Sequence, residues 1–248
     1  MRIRNEVTAF FGGRFDPPHL GHREAVKGLL QSSFSHFQVK RVFILPSPSP
    51  AYKPCVIPLE HRIEMTQLNF SNSPLSFSSS PYLPYPSEDI EVHSVEINRS
   101  KRNPELPTYS YDTIQELLPQ FPNLAFVIGA DQLKDFHLWH RFKELISLCH
   151  WIVLERKPNG KENSRRTLKE WEKSGLIQPM QENERESLWK VPNKNKYFYC
   201  IPTDAPPLSS TWIREEIGKT GKIPSSSLLP EVEGYLKQFH LYGIKGKQ

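Results

Sequence analysis

A short segment near the N-terminus carries residue types that could bind and orient phosphate groups. It runs G-G-R-F-D-P-P-H-L-G-H over residues 12–22 and directly follows an apolar run at residues 7–11. The two adjacent glycines allow the backbone to turn tightly and to approach a ligand closely. His19 and His22 are three positions apart, so both project from one face of a helix that starts there, where free N–H groups attract phosphate. The segment therefore predicts a phosphate-binding loop at a helix N-terminus.

A second segment, near the C-terminus, combines hydroxyl groups with a cation. Ser209, Ser210 and Thr211 precede W-I-R-E-E-I, which places Arg214 near the start of a predicted helix. One of the serines could be the N-cap of that helix and would then need no ligand. An N-cap leaves the other hydroxyl groups unexplained, and the helix dipole disfavours a cation in the first turn. We therefore expect these hydroxyl groups and Arg214 to converge on bound phosphate.

Buried strands must position both segments, because apolar runs alternate with helical patterns along the chain. Runs at 42–45, 124–128, 150–154 and 197–201 resemble the one at 7–11. Strands that are apolar throughout and alternate with helices are typical of a parallel sheet covered on both faces. Such a sheet binds ligands at the carboxyl ends of its strands, where the first segment lies. We predict an α/β fold with a doubly wound, mostly parallel sheet.

Three further stretches have patterns of their own. The alternation at 90–97 predicts a strand, and the pattern at 139–148 predicts a helix. The polar stretch at 159–195 predicts one exposed helix within an insertion. The predicted organisation is an α/β domain at 1–204 followed by a C-terminal helical part at 205–248. The α/β domain contains insertions near 71–87 and 159–196, and the stretches 71–87 and 175–196 are unusually long.

Composition narrows the class of protein. The chain has 248 residues and a net charge of +5, long enough for a proper core and basic enough for a polyanionic partner. Charge alone does not separate nucleic acid from a nucleotide. Three widely spaced cysteines favour neither a disulfide scaffold nor a zinc site, and they suit a reducing cytoplasm. No stretch has the length of a signal-peptide core or a membrane span, so we expect a soluble cytoplasmic protein that binds no membrane.

The form of the first segment excludes two common phosphate sites. No G-x-x-x-x-G-K-[ST] sequence is present, which excludes a P-loop. No G-x-G-x-x-G follows the first apolar run, which excludes an ordinary dinucleotide-binding turn.

The chain instead resembles the nucleotidyltransferases with the H-x-G-H signature, and among them the bacterial nicotinate-nucleotide adenylyltransferases. Five motifs in the family's order carry the resemblance: the segment at 12–22, Lys53-Pro54 with Arg62 to Met65, Pro107 to Thr113, Leu124 to Leu133 with Trp139-His140, and Leu208 to Arg214. Two positions depart from the pattern. Arg14 stands where the family has serine or threonine, and Arg156-Lys157-Pro158 replaces its R-P-G.

The resemblance implies transfer of the adenylyl group of ATP to nicotinate mononucleotide, giving nicotinate adenine dinucleotide and pyrophosphate in NAD biosynthesis. The acceptor's phosphate is already anionic and needs no general base, so positioning and charge stabilisation should carry the rate. Because no dense acidic cluster appears, we expect no metal site on the protein and Mg²⁺ that arrives bound to ATP. The expected ligands are therefore ATP and nicotinate mononucleotide, with no nucleic acid, and the sequence leaves the oligomeric state open.

The resemblance also implies the site residues. The catalytic residues would be His19, His22 and Arg214. The ATP-binding residues would be Gly12, Gly13, Phe15, His19, Gly21, His22, Gly129, Asp131, Ser209, Thr211 and Arg214. The acceptor-binding residues would be Asp16, Lys53, Thr108, Tyr109, Ser110 and Trp139, with the pyridine ring stacked on the aromatics. Some have structural alternatives: the two aspartates could cap a turn and a helix, and Tyr109 and Trp139 could simply belong to the core.

Three other functions remain open. Another H-x-G-H enzyme could use nicotinamide mononucleotide, phosphopantetheine or a cytidylyl donor, although Tyr109 and Trp139 favour a pyridine ring. A class I aminoacyl-tRNA synthetase fragment would need a K-M-S-K-S-like loop, which the chain lacks. A non-catalytic nucleotide sensor would bind ATP without turnover.

Overall fold

The computed structural model describes residues 5–31, 37–51, 54–70, 89–156, 160–182 and 187–244. Within them one sheet has the strand order β3-β2-β1-β4-β5-β8-β7-β6. The strands are β1 (Asn5–Gly13), β2 (Phe37–Pro46), β3 (Ile90–Val92), β4 (Leu124–Gly129), β5 (His150–Arg156), β6 (Gln178–Glu182), β7 (Ser187–Lys190) and β8 (Tyr197–Thr203). All neighbouring pairs are parallel except β6 with β7 and β7 with β8. The predicted doubly wound, mostly parallel sheet is confirmed.

Helices cover both faces of this sheet. They are α1 (Leu20–Gln31), α2 (Leu59–Phe70), α3 (Val95–Arg102), α4 (Ser110–Leu117), α5 (Ala130–Leu133), α6 (Phe142–Leu145), α7 (Gly160–Lys173), α8 (Ser210–Thr220) and α9 (Pro230–Gln238), with 3₁₀ turns at Phe136–Leu138 and Leu241–Gly243. Along β1, Phe10 packs with α4, α5 and α7, whereas Ala9 and Phe11 pack with α1 and α2. This alternation follows from the two-residue period of a strand.

The order of the strands creates a crevice at the end of β1. That strand pairs with β2 on one side and with β4 on the other, so the direction of winding reverses at β1. Parallel sheets bind ligands outside the carboxyl ends of the two strands at such a point. Gly13 ends β1 and Gly129 ends β4, so the residues predicted to bind ATP border the crevice.

The C-terminal helices form a third apolar cluster beside α2. Ile213 and Ile217 of α8 pack with Val232 and Leu236 of α9, and Met65 of α2 belongs to the same cluster. Leu20, the first residue of α1, also lies in it. The C-terminal part is therefore joined to the start of α1 by a shared core.

The predicted strand at 90–97 is wrong beyond its first three residues. Ile90 to Val92 pair with β2, but α3 begins at Val95. The turn occurs at His93, whose Nδ1 accepts the N–H of Val95 at 3.3 Å, so the chain leaves the sheet. The alternating apolar residues then serve a helix, in which Val95 and Ile97 are buried.

The predicted continuous helix at 139–148 is also wrong. Trp139 is extended, with φ −68° and ψ 148°, and α6 covers only Phe142–Leu145. Arg141 has a φ of 53°, a left-handed conformation that cannot continue a helix.

The prediction of one exposed helix at 159–195 missed two strands and a buried face. Helix α7 places Ser164, Leu168 and Trp171 toward the core, so it is amphipathic and covers the sheet. After it, β6 and β7 pair antiparallel and extend the sheet beyond β8. The predicted loop at 71–87 lies outside the described residues. Within the described ranges, no helix has the length and apolar character needed to cross a membrane.

Candidate active site

The loop that leaves β1 is held in one conformation by packing. Phe15 has a φ of 48°, which is costly for a bulky residue, yet its ring is only 2% exposed and packs against Phe11, His22 and Phe70. A Cβ on Gly21 would lie 2.8 Å from the carbonyl oxygen of Pro206, so only glycine fits there. The chain needs both features to turn from β1 into α1.

His19 and His22 form a stacked pair at the start of α1. Their ring centroids are 3.7 Å apart at an interplanar angle of 20°. The backbone N–H of His19 donates to Nδ1 of His22 at 3.2 Å, and the N–H of His22 donates to Nδ1 of His19 at 3.3 Å. Because both Nδ1 atoms accept, each neutral ring carries its proton on Nε2. The pair therefore offers two N–H donors of fixed tautomer.

Both imidazoles are neutral at pH 7. Burial lowers the pKa of His19 to about 3, and the charge of Arg156 adds to the shift. Burial also lowers the pKa of His22, with further contributions from His19 and Arg156. Two charged imidazoles could not stack this closely without strong repulsion.

Arg156, in a stretch where the chain departs from the family's pattern, supplies a cation at this site. It ends β5, two strands from β1 in the sheet. Its Nη1 donates to the carbonyl of Leu208 at 3.0 Å, and its Nη2 lies 3.6 Å from Oδ1 of Asp131. Its place at the carboxyl end of a buried strand was the signal that could have identified it.

Asp16 lies inside the wall of the site. It is fully buried; its Oδ2 accepts the N–H of Val56 at 2.7 Å and its Oδ1 accepts the hydroxyl of Tyr242 at 2.7 Å. Nη1 of Arg214 lies 4.0 Å from Oδ2. Both oxygens are thus engaged by protein groups, and the acceptor contact expected from the sequence stays a prediction.

The start of α8 is attached to the first segment. Ser209 is the N-cap and accepts the N–H of Trp212 at 3.1 Å, while Ser210 donates to the carbonyl of Pro17 at 2.8 Å. Arg214 donates from Nη1 to the carbonyl of Asp16 at 2.5 Å.

Protein groups engage every hydroxyl group at the start of α8. Because α8 begins at Ser210, Arg214 is its fifth residue, and the expectation of a first-turn arginine is wrong. The third hydroxyl also has a protein partner, since Thr211 accepts from Nη2 of Arg214 at 3.4 Å. The run of hydroxyl groups is therefore explained without a ligand, and its phosphate contacts stay a prediction.

The predicted acceptor side is built from partly buried rings. The N–H of Thr108 donates to the carbonyl of Ser49 at 2.7 Å, which fixes the chain just before α4. The ring of Tyr109 stacks on His140 at 4.4 Å, and Trp139 packs edge-on against Phe136 at 4.8 Å. His140 follows Trp139 in the fourth motif, and its contact with Tyr109 is not evident from the sequence. The contacts bring Tyr109 beside the turn that carries Trp139.

A buried carboxyl group lies behind Tyr109. Thr113 of α4 donates to Oε1 of Glu96 at 2.9 Å, and Nη2 of Arg99 donates to Thr113 at 2.5 Å. Burial raises the pKa of Glu96 to about 7. This group joins α3 to α4 and so helps to fix the start of α4.

Arg62 fixes the ends of β1 and β2 relative to each other. It is 1% exposed and donates to three backbone carbonyls: Arg14 at 2.9 Å, Ser47 at 2.7 Å and Pro48 at 2.9 Å. Arg14 itself donates to the carbonyl of Pro54 at 2.9 Å, which gives this unusual residue a structural contact. The loops on the ATP and acceptor sides therefore share one buried guanidinium.

The structure thus brings the 12–22 segment, Arg156 with Asp131, and the start of α8 together. Lys53, the one predicted acceptor residue in the basic loop, lies outside the described residues. No group of three or more His, Cys, Asp or Glu side chains in the described part of the chain is placed to hold a metal ion.

Comparisons with known proteins show the family and the fold of the chain. The cytidylyltransferase-like family model matches residues 10–216. A probable nicotinate-nucleotide adenylyltransferase of Serratia proteamaculans is 28% identical over 242 residues, which cover 95% of each chain. Among solved structures, a Plasmodium falciparum nicotinic acid mononucleotide adenylyltransferase complexed with NaAD has a TM-score of 0.67 at 17% identity, with 98% of this chain and 99% of that chain covered. Its complex with APC has a TM-score of 0.63 at 17% identity and the same coverage.

Proposed function

The chain belongs to the cytidylyltransferase-like family, and we propose that within it the protein transfers the adenylyl group of ATP to nicotinate mononucleotide. An oxygen of the acceptor's phosphate attacks the α-phosphorus of ATP. The bond from the α-phosphorus to the oxygen that bridges to the β-phosphate breaks, and pyrophosphate leaves. No proton has to be removed from the nucleophile, so the protein's task is to align two anions and stabilise the charge that moves onto pyrophosphate.

One observation carries the proposal. The reciprocal hydrogen bonds between His19 and His22 leave two neutral Nε2–H donors at the N-terminus of α1, beside the crevice at the end of β1. The backbone N–H groups of His19, Leu20 and His22 already donate to protein groups, so the two imidazoles are the donors on which the proposal rests. Donors that are fixed before the reaction need not reorganise during it, which is what stabilises a developing charge.

Two cations complete the ATP side of the proposed site. Burial lowers the pKa of both imidazoles, and the charge of Arg156 adds to these shifts, so this cation lies near the two rings. Arg214 is held against the 12–22 segment by its bond to Asp16. The nearby carboxylates Asp16 and Asp131 each lie within 4.0 Å of one of these guanidinium groups, so neither is arranged for a resident metal. We infer that Mg²⁺ enters with ATP as part of the substrate.

We infer that the acceptor lies against Tyr109 and Trp139. The first N–H groups of α4, from Ser110 onward, have no partner within the helix. A nicotinate carboxylate accepts hydrogen bonds only, so these donors suit it better than the carboxamide of nicotinamide. The 95% coverage of the Serratia relative, which carries the nicotinate name, supports the same choice.

The test is turnover by the purified protein. With MgATP and nicotinate mononucleotide, we expect release of pyrophosphate and formation of nicotinate adenine dinucleotide, each measured separately. Parallel reactions contain nicotinamide mononucleotide, phosphopantetheine, or CTP in place of ATP. A higher kcat/KM for nicotinate mononucleotide than for every alternative supports the proposal. Turnover of another pair alone reassigns the enzyme within its family, and ATP binding without product overturns catalysis altogether.

A further inference from the structure

The C-terminal end of the described chain reaches back to the first motif. The hydroxyl of Tyr242 donates to Oδ1 of Asp16 at 2.7 Å, across 226 positions of sequence. Asp16 has no exposed surface, whereas Tyr242 is partly buried. A hydrogen bond to a buried carboxylate is among the strong ones in a protein, because a charged partner is involved and water is excluded.

The backbone around Tyr242 is strained in a way that its surroundings maintain. His240 has a φ of 49° and Tyr242 a φ of 59°, both in the left-handed region that non-glycine residues rarely adopt. The neighbouring Leu241 and Ile244 are each 8% exposed and lie in the apolar cluster of α2, α8 and α9. Anchors on both sides hold the strained segment and direct its hydroxyl to Asp16. Strain of this kind persists where other contacts over-determine the conformation, and it concentrates at functional sites.

Asp16 in turn determines where Arg214 lies. Nη1 of Arg214 donates to the carbonyl of Asp16 at 2.5 Å and lies 4.0 Å from its Oδ2. The other close contacts of the carboxylate are the N–H of Val56 and the hydroxyl of Tyr242. Without the hydroxyl, a buried oxygen would lose its donor, and the carboxylate would turn toward Arg214 or Val56 to replace it.

The hydroxyl of Tyr242 remains a donor at every physiological pH. Burial raises its pKa, and the charge of Asp16 and the bond to it raise the pKa further. The contact therefore does not switch on and off as pH changes.

We propose that Tyr242 is a positioning residue for nucleotidyl transfer: its hydroxyl fixes Asp16, and Asp16 fixes Arg214 where the guanidinium meets the phosphates of ATP. The proposal rests on the proposed function for the role of Arg214. It extends the site to a segment that no sequence motif named above includes.

The test begins with Tyr242→Phe, which removes one oxygen and keeps the ring. We expect the Kd for MgATP, measured by calorimetry, to weaken about tenfold, and kcat to fall about tenfold, because the lost bond is charge-assisted. The KM for the acceptor should stay within about twofold. The matched control is Tyr235→Phe, which removes the bond of a tyrosine hydroxyl to Nδ1 of His61 at 2.9 Å in the same C-terminal region, and should leave all constants within about twofold.

A double-mutant cycle separates positioning from general destabilisation. In an Arg214→Ala background, Tyr242→Phe should have little further effect on ATP affinity, because the group it positions is gone. If Tyr242 has a purely structural role, the fold-changes of the two single variants should instead multiply in the double variant. Tyr235→Phe combined with Arg214→Ala should show this independent behaviour. All assays are run at a temperature where circular dichroism shows every variant fully folded.

The outcomes distinguish this inference from the proposed function. Failure of the wild type to form nicotinate adenine dinucleotide overturns the proposed function, but the ATP-binding cycle still tests Tyr242. Unchanged ATP affinity in Tyr242→Phe, or effects that multiply in the cycle, overturns the positioning role even when the wild type is an active adenylyltransferase.

Discussion

The two sides of the proposed site are built differently. On the ATP side, Phe15 and His19 are at most 2% exposed, and hydrogen bonds fix both imidazole rings. On the acceptor side, Tyr109 and Trp139 are only partly buried, and ring contacts with neighbours hold them. One side is a rigid set of donors, and the other is a pair of surfaces on which a flat ring can stack.

This difference indicates where catalysis and recognition reside. Donors that are fixed before the substrate binds act on the charge that moves in the transition state, so they should govern kcat. Stacking surfaces bind the ground state and the transition state about equally, so they should govern KM and the choice of acceptor. Substitutions on the two sides should therefore separate kinetically.

The largest effect is expected from the histidine pair. His22→Ala and His19→Ala should each lower kcat about 10²- to 10³-fold, with much smaller changes in either KM, because each removes one preorganised donor. The control is His137→Ala, which should keep wild-type rates. His137 is exposed, and among the described residues its ring forms a hydrogen bond with the Lys134 carbonyl. Near-normal kcat in folded His22→Ala would remove the pair from catalysis.

A smaller loss of activity is expected from substitution of Arg214, which contacts the buried 12–22 segment from helix α8. Arg214→Ala should lower kcat/KM for ATP about 10- to 100-fold, and Arg214→Lys should recover only part of it, because a point charge does not reproduce the guanidinium contacts. Thermal unfolding is followed in parallel, with Arg166→Lys as the exposed control. Losses that merely follow a lower Tm would leave Arg214 as a structural residue.

The rigid side was also the more predictable from sequence. The strands β1, β4 and β5 are apolar on both faces, and an uninterrupted apolar run is a strong local signal. The glycines and histidines after β1 are close together in sequence, so their spacing alone predicted a shared helix end. An N-cap at Ser209 or Ser210 could be considered for the same reason, and the structure places it at Ser209.

What the sequence did not predict depends on contacts between distant positions. Tyr242 meets Asp16 across the whole chain, and Arg156 meets Leu208 across 52 positions, so no local pattern reports either contact. The strand β6 lies at the sheet edge with most of its side chains exposed, which removes the alternation that would have identified it. The pattern at 90–97 failed because the chain leaves the sheet after Val92 and α3 begins at Val95, so the last apolar residues face the core from a helix.

The acceptor side should show the opposite kinetic behaviour. Trp139→Ala and Tyr109→Ala should each raise the KM for nicotinate mononucleotide up to about tenfold and leave the KM for ATP unchanged. Tenfold corresponds to the free energy of one aromatic stacking contact. Leu138→Ala is the matched control, because that side chain is 62% exposed and adjacent to Trp139. A fall in kcat at constant KM would mean that these rings act in the transition state, as the rigid side does, and that the two sides do not separate kinetically.

A change in stability rather than in activity is expected in acid, and it tests the rigid side without any substrate. Burial lowers the pKa of His19 to about 3 and that of His150 to about 4, and it lowers the pKa of His22 as well. Below pH 6.5 these histidines take up protons in the unfolded chain but not in the folded protein, so the free energy of unfolding must fall as the pH falls from 6.5 toward 3. Between its folded-state and unfolded-state pKa values, each histidine changes the free energy of unfolding by about 1.4 kcal/mol per pH unit. Above its unfolded-state pKa it contributes no pH dependence. The variant His19→Asn removes one of these groups and leaves His22 and His150 in place. The free energy of unfolding, measured with urea between pH 6.5 and 4.5, should therefore fall less steeply with pH than in the wild type, by about the contribution of one histidine. Equal slopes in the variant and the wild type would mean that His19 is not held neutral by burial, and the fixed donor on which the proposed catalysis depends would have to be abandoned.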